Sequence, residues 1–222
     1  GKILESNVAG WQVGDVVRGR LCAQTIATVP PEALEKIAHS NLPLSVHLGA
    51  LGGSTGVTAW IGVRCVAKPK PGDVFVVSAA AGAVGAVVGQ IAKRDGATVI
   101  GIAGGQRKTD YLVSELGFDA AIDYKQDDVT ARLRELAPHG VNIFFDNVGG
   151  PVLDAVLDHL AMRARVVICG AVSQYDNMDN VTGPSLYLRL AERQSTMEGF
   201  AYFHFPDQLA PATAELTQWV SD

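Results

Sequence analysis

From Asp73 onward the 222-residue chain alternates strand-like runs with helix-like stretches, and this alternation constrains the fold more than any other feature. The strand-like runs are 73–79 (DVFVVSA), 98–103 (TVIGIA), 120–123 (AAID), 142–146 (NIFFD), 165–170 (RVVICG) and 195–203 (STMEGFAYF). Helix-like stretches separate them at 84–96, 107–117, 128–137, 151–161 and 184–194. The early runs are apolar throughout, as strands covered on both faces are. The pattern therefore predicts an α/β fold, a doubly wound parallel (Rossmann) sheet of about six strands with right-handed crossovers. QLAPATAELTQWVSD reads as a closing helix with a break near Pro211.

The first 72 residues have a different texture. Short apolar runs at KILES, DVVRGRL and QTIATV, separated by VAGWQVGD, predict a small antiparallel β unit with Asp15 in a turn. PPEALEKI predicts a helix, and 42–66 a helix, a glycine-containing break and a second helix. KILES reads as a strand in mid-course, so the chain is expected to begin inside a domain.

Charge and cysteine usage exclude several classes. Lys and Arg number 18 against 23 Asp and Glu, a net charge of −5, and the basic residues are scattered, which argues against a nucleic-acid surface. No apolar run is long enough to span a membrane and no leader opens the chain, so no membrane partner and a cytoplasmic location are expected. Cys22, Cys65 and Cys169 form no C-x-x-C pair, and the five histidines have no ligand spacing, so no metal is expected.

The turn SAAAGAVGAVVGQIAK (Ser78–Lys93) follows the first strand of the alternating region. Gly82 and Gly85 stand as G-x-x-G where a pyrophosphate would approach the backbone at a helix N-terminus, while Ala80 occupies the first glycine position of G-x-G-x-x-G. Plain strand–helix packing is the competing reading. The end of the second strand, IAGGQRKTD, sharpens the choice. A protein that binds NAD places an acid there for the ribose 2′-OH, whereas here Gly104 and Gly105 precede Arg107 and Lys108, which favours NADP(H). Alternatively the two cations belong to a solvated helix turn, although they oppose its dipole. The missing acid also argues against a methyltransferase, and the lack of a Tyr-x-x-x-Lys pair against a short-chain dehydrogenase.

PKPGDVFVVSAAAGAVGAVVGQIAK, GIAGG with Lys108, ELGFDAAIDYK, FFDNVGG and CGAVSQYDN follow one another across most of 42–203. As a set they resemble the zinc-free, NADPH-dependent branch of the medium-chain dehydrogenase/reductases, the group of prostaglandin reductases, alkenal double-bond reductases and curcumin-type reductases. GKILESNVAGWQVGDVVRG resembles the last part of that family's N-terminal GroES-like domain. The resemblance implies a GroES-like remnant with a linking helix over 1–50 and an NADP-binding Rossmann domain over 51–222. The rest of the GroES-like domain is expected to lie outside the chain, leaving the substrate cleft short of one wall and turnover poor.

The resemblance also implies roles. Gly82, Ala83, Val84 and Gly85 would hold the pyrophosphate, and Gly104, Lys108 and Tyr124 the 2′-phosphate and its ribose. Asn147 would bond near the nicotinamide, unless it serves as a turn or cap before Pro151. Cys169, Gly170, Ala171, Val172, Ser173, Gln174 and Tyr175 would line the nicotinamide ribose, and Phe200, Ala201 and Tyr202 the carboxamide. Cys169 reads as a small buried residue, because no partner base is evident. Tyr175 is the catalytic candidate: hydride delivery to the β-carbon of an enone leaves charge on the carbonyl oxygen, which needs a donor. Packing on the ribose is its other reading.

Leu51 stands where zinc-dependent relatives carry a ligating Cys, and RLCAQTIATVPP is too short for their four-cysteine loop. Three departures from the family pattern stand out: GGSTG in place of Met-Pro-Gly and one residue longer, which by the resemblance borders the substrate pocket and bears on substrate choice, Gly105 for Ser, and Asp123 for Asn. The activity implied is NADPH-dependent reduction of the C=C bond of small α,β-unsaturated ketones or aldehydes. A quinone reductase and a non-catalytic nucleotide-binding module are the rivals, and a homodimer built on the strand near STMEGFAYF is expected.

Overall fold

The computed structural model describes residues 1–19, 21–37 and 41–221, which form two compact units, Gly1–Leu48 and Gly49–Asp222. In the first unit β1 (Val17–Gly19) pairs antiparallel with β2 (Leu34–Lys36), and a single bridge joins Lys2 to Val16. Arg18 stands opposite Glu35 and grips it with Nε and Nη2, each at 2.8 Å. This pairing overrides the helix expected over PPEALEKI, where only a 3₁₀ turn, Pro31–Ala33, precedes β2. QTIATV forms no strand, and its Ile26 is 70% exposed. The first helix expected in 42–66 is reduced to a 3₁₀ turn, Leu44–His47.

In the second unit six parallel strands lie side by side: β3 (Val74–Ser78), β4 (Thr98–Ala103), β5 (Ala120–Asp123), β6 (Val141–Asp146), β7 (Leu160–Ile168) and β8 (Thr196–Gly199). Their order is β5-β4-β3-β6-β7-β8, so the chain winds outward from β3, then returns and winds the other way from β6. The intervening helices are α2 (Ala83–Arg94), α3 (Gln106–Ser114), α4 (Val129–Leu136), α5 (Gly150–Leu157) and α6 (Leu188–Glu192). Before the sheet, α1 (Thr58–Ile61) is flanked by Gly53–Val57 and Gly62–Ala67, which have the wider i→i+5 bonding of a π-helix.

Apolar strands explain the burial. Val76, Ile100, Ile122, Phe144 and Val166 pack with Leu133, Leu153, Val156 and Leu157 in one core, each such side chain contributing about 1.5–3 kcal/mol. β7 starts five residues before the run read from sequence: its register shifts between Val141 and Ile143 of β6, and Arg163 adopts φ +59° there. At the far edge β8 keeps only four residues, all exposed, before a 3₁₀ turn at Tyr202–His204. The closing helix α7 (Leu209–Ser221) runs unbroken through Pro211, the third helical residue, where the missing N–H has no intrahelical partner to lose.

α7 is fastened to α1 and α2 by a polar network. Trp60 Nε1 donates to Glu215, Arg64 pairs with Asp95 and, at 3.3 Å, with Glu215, and the Trp219 ring faces the guanidinium groups of Arg64 and Arg94 at 5.6 and 4.8 Å. No helix of the described residues is long and apolar enough to cross a membrane.

Candidate functional site

The reversal of strand order places the C-terminal ends of β3 and β6 side by side, and a crevice opens there. Two polar residues end these apolar strands. Asp146, 1% exposed, accepts from Ser78 Oγ at 2.8 Å and from the N–H groups of Val148 and Gly149 at 2.9 and 3.0 Å. Burial pushes its carboxyl above the usual range, opposed by those donors. Asn147 donates its backbone N–H to Ser78 Oγ and its side-chain Nδ2 to Ser78 O, both at 2.8 Å. Since a carbonyl can only accept, the amide is oriented with Nδ2 inward and its Oδ1 remains as an acceptor. Helix α5 is capped at Gly149, so the cap reading of Asn147 does not describe its side chain.

The glycine turn does two jobs. Gly82 caps α2 in extended conformation and its N–H donates to Ala79 O at 2.8 Å, while Ala79 itself takes φ +47° to make the turn. A Cβ on Gly85 would stand 2.5 Å from Ala79 O and 3.0 Å from Ala80 Cα, so strand–helix packing by itself demands this glycine. Ala83 and Val84 occupy the first two helical positions, where N–H groups lack intrahelical carbonyls and the dipole is positive. A cradle with these properties fits a phosphate group.

A cleft of about 330 Å³ lies between these strand ends and the helix that begins at Gly53. It gathers Val84, Asn147, Cys169, Gly170, Val172, Tyr175, Phe200, Ala201 and Tyr202 from the residues expected in sequence, and adds Ser54 and Thr58, which were not. Tyr175 Oη accepts from Ala171 N at 3.2 Å, which leaves its proton for an oxygen in the cleft. The Cys169 thiol is pushed up to about 11 by burial and then by the Asp146 charge, in keeping with a neutral residue. Ser173 and Gln174 do not line the cleft. Ser173 Oγ donates to Val148 O at 2.6 Å, and the Gln174 amide clasps Thr182 through both its N–H and C=O at 2.8 and 2.9 Å, closing the 174–182 loop.

A second group forms where β4 and β5 end. Gly104 is covered by the Tyr124 ring, with 2.8 Å between ring and any added Cβ. Gly105 caps α3 with φ +95°, and Lys108 stands in the first turn, its N–H bonded to Gly105 O at 2.8 Å. Beneath them lies Asp123, 7% exposed, which accepts from Gly105 N at 2.8 Å and Lys125 N at 3.0 Å. Among the described residues no three His, Cys, Asp or Glu side chains gather as a metal site would need, and Leu51 is buried.

A strand order that reverses between β3 and β6, with a glycine-tight strand–helix turn beside a cleft at that point, is the architecture of a doubly wound, Rossmann-type domain. Residues 83–218 match the zinc-binding dehydrogenase family, and the chain belongs to it. It is 45% identical over 210 residues to YfmJ of Bacillus subtilis (strain 168), covering 93% of this chain and 62% of that protein. It is 41% identical over 206 residues to the 2-alkenal reductase (NADP(+)-dependent) of Nicotiana tabacum, covering 92% of this chain and 60% of that protein. The structure of CurA from Vibrio vulnificus in complex with NADPH superposes with a TM-score of 0.82 at 35% identity, covering 99% of this chain and 66% of that one. These relatives lie in the reductase branch that the sequence motifs resemble. The chain spans 60% to 65% of the length of the curated relatives it matches.

Proposed function

We propose that this chain carries the cofactor site of an NADPH-dependent reductase that saturates the C=C bond of α,β-unsaturated ketones or aldehydes without zinc. The observation that carries the reading is one cleft that holds the oriented Asn147 acceptor and the Tyr175 hydroxyl beside the first turn of α2. When bound, NADPH supplies the hydride. Around it Ala83, Val84 and the close approach allowed by Gly82 and Gly85 receive the pyrophosphate, and Gly104, Lys108 and Tyr124 receive the 2′-phosphate and ribose. Asn147 Oδ1 accepts from the nicotinamide end. Gly170 and Val172, together with Phe200, Ala201 and Tyr202, would line the nicotinamide end. Tyr175 donates to the carbonyl oxygen as negative charge develops there, an interaction that strengthens toward the transition state. Ser54 and Thr58, in the GGSTG segment and the helix it opens, border the substrate.

Mixing a full-length form of the protein, with the rest of the GroES-like domain present, with NADPH and a panel of enones, alkenals and quinones, and following NADPH absorbance with product analysis, tests this directly. Saturated ketones or aldehydes are expected. Consumption with quinones alone moves the reading to a quinone reductase, and no consumption with any member refutes it. Dimerisation through the exposed edge of β8 belongs to the same proposal, and light scattering of the eluted protein tests it.

A further inference from the structure

The end of β4 carries no acid, yet a carboxylate reaches the same turn from the neighbouring strand. Asp123 ends β5, and its Oδ1 accepts from Gly105 N at 2.8 Å, directly beneath the N-terminus of α3. It is held there on every side: its own N–H donates to Asp127 Oδ2 at 2.9 Å, and its carbonyl accepts from Gln126 and Asp127 at 2.9 and 2.8 Å. Among the described residues no Lys or Arg is ion-paired with it. Two effects then oppose an anion at this turn. The carboxylate occupies the Gly105 N–H, which a phosphate oxygen would otherwise use, and its charge offsets part of the helix dipole and of Lys108.

We infer that Asp123 is a specificity-determining residue that holds down the preference for a 2′-phosphorylated cofactor over its unphosphorylated counterpart. The inference rests on the cofactor reading above. Its consequence is a site that binds NADPH more weakly than Lys108 and the glycine turn alone would allow, and that tolerates NADH.

Asp123→Asn tests it, because an amide oxygen still accepts from Gly105 and Lys125 while the charge is removed. Titration of wild type and variant with NADPH and with NADH is expected to show NADPH tightening by about three- to tenfold and NADH shifting by less than about twofold. An unchanged ratio of the two affinities, or a parallel loss of both, overturns the inference. Should the variant melt well below wild type, Asp123→Ser, which also offers an uncharged oxygen, is measured by the same criteria. Failure of wild type to bind either nucleotide overturns the cofactor reading and this inference with it.

Discussion

Tyr175 and Cys169 share one cleft and differ in what their protons can do. The Tyr175 oxygen is already an acceptor for Ala171 N, so its proton is the group's remaining contribution to anything bound there. In a full-length form Tyr175→Phe is expected to lower kcat by about tenfold to a hundredfold while NADPH affinity stays within about twofold; an unchanged kcat instead would leave the ring, which phenylalanine keeps, as a platform for the ribose. Cys169 is held neutral by burial and by Asp146, at about 11 against an ordinary 9.0. Its folded-state value is raised, so thiolate is scarce at neutral pH and still increasing beyond the ordinary value. Iodoacetamide labelling of Cys169 near neutral pH should run about a hundredfold slower than that of an ordinary thiol, and the rate should climb up to about pH 11. A plateau near pH 9 would contradict this. Asp123 stood out in the sequence only as a departure from the family pattern, and the roles of Ser78 and Asp146 were not readable because a lone polar residue ending an apolar strand has no visible partner: Ser78 and Asp146 meet across 68 positions.

Elements were readable where a run of one texture is bounded by turn residues. The β4 run 98–103 and the β5 run 120–123 coincide with the strands, because each is apolar, short and followed by Gly or polar residues. The glycine turn to α2 was readable for the same reason, although packing alone already explains Gly85. Elements governed by distant contacts were not readable. β7 is lengthened by a register shift, β2 replaces a helix through its pairing with β1, and α7 passes through Pro211. The helix beginning at Gly53 was foreseen as a helix, and its GGSTG segment as a border of the substrate pocket by resemblance, but Ser54 and Thr58 were not singled out, since they carry no motif. The only available signal was the unusual GGSTG itself. At this scale α7 depends on a few side chains. Glu215→Gln keeps an acceptor for Trp60 but discharges the pair with Arg64, and is expected to cost about 1 kcal/mol, read as a lower denaturant midpoint with an unchanged slope.

For the whole molecule, every cleft residue and both phosphate-side groups come from Gly49–Asp222, which holds the buried strands of the parallel sheet. A fragment of residues 49–222 is therefore expected to melt in one cooperative transition by circular dichroism and to bind NADPH within about threefold of the 222-residue chain. A broad, non-cooperative transition would show that the smaller unit is needed for folding. The doubly wound architecture was legible because a parallel sheet imposes its alternation on the sequence throughout. The smaller unit was less so, because its few paired residues leave almost no periodic signal.

The fastening of α7 also gives the protein an optical reporter. Of the three tryptophans, Trp60 is hydrogen-bonded to Glu215 and Trp219 lies against two guanidinium groups, so both indoles sit at the seam between α7 and the body of the sheet domain. Charged neighbours quench and shift indole emission, and detachment of the last helix would remove them from both rings at once. With Trp11 of the smaller unit replaced by phenylalanine, intrinsic fluorescence thus follows the docking of that one helix, whereas circular dichroism follows the sheet, and any gap between the two melting curves measures how far the C-terminal helix lets go before the domain does.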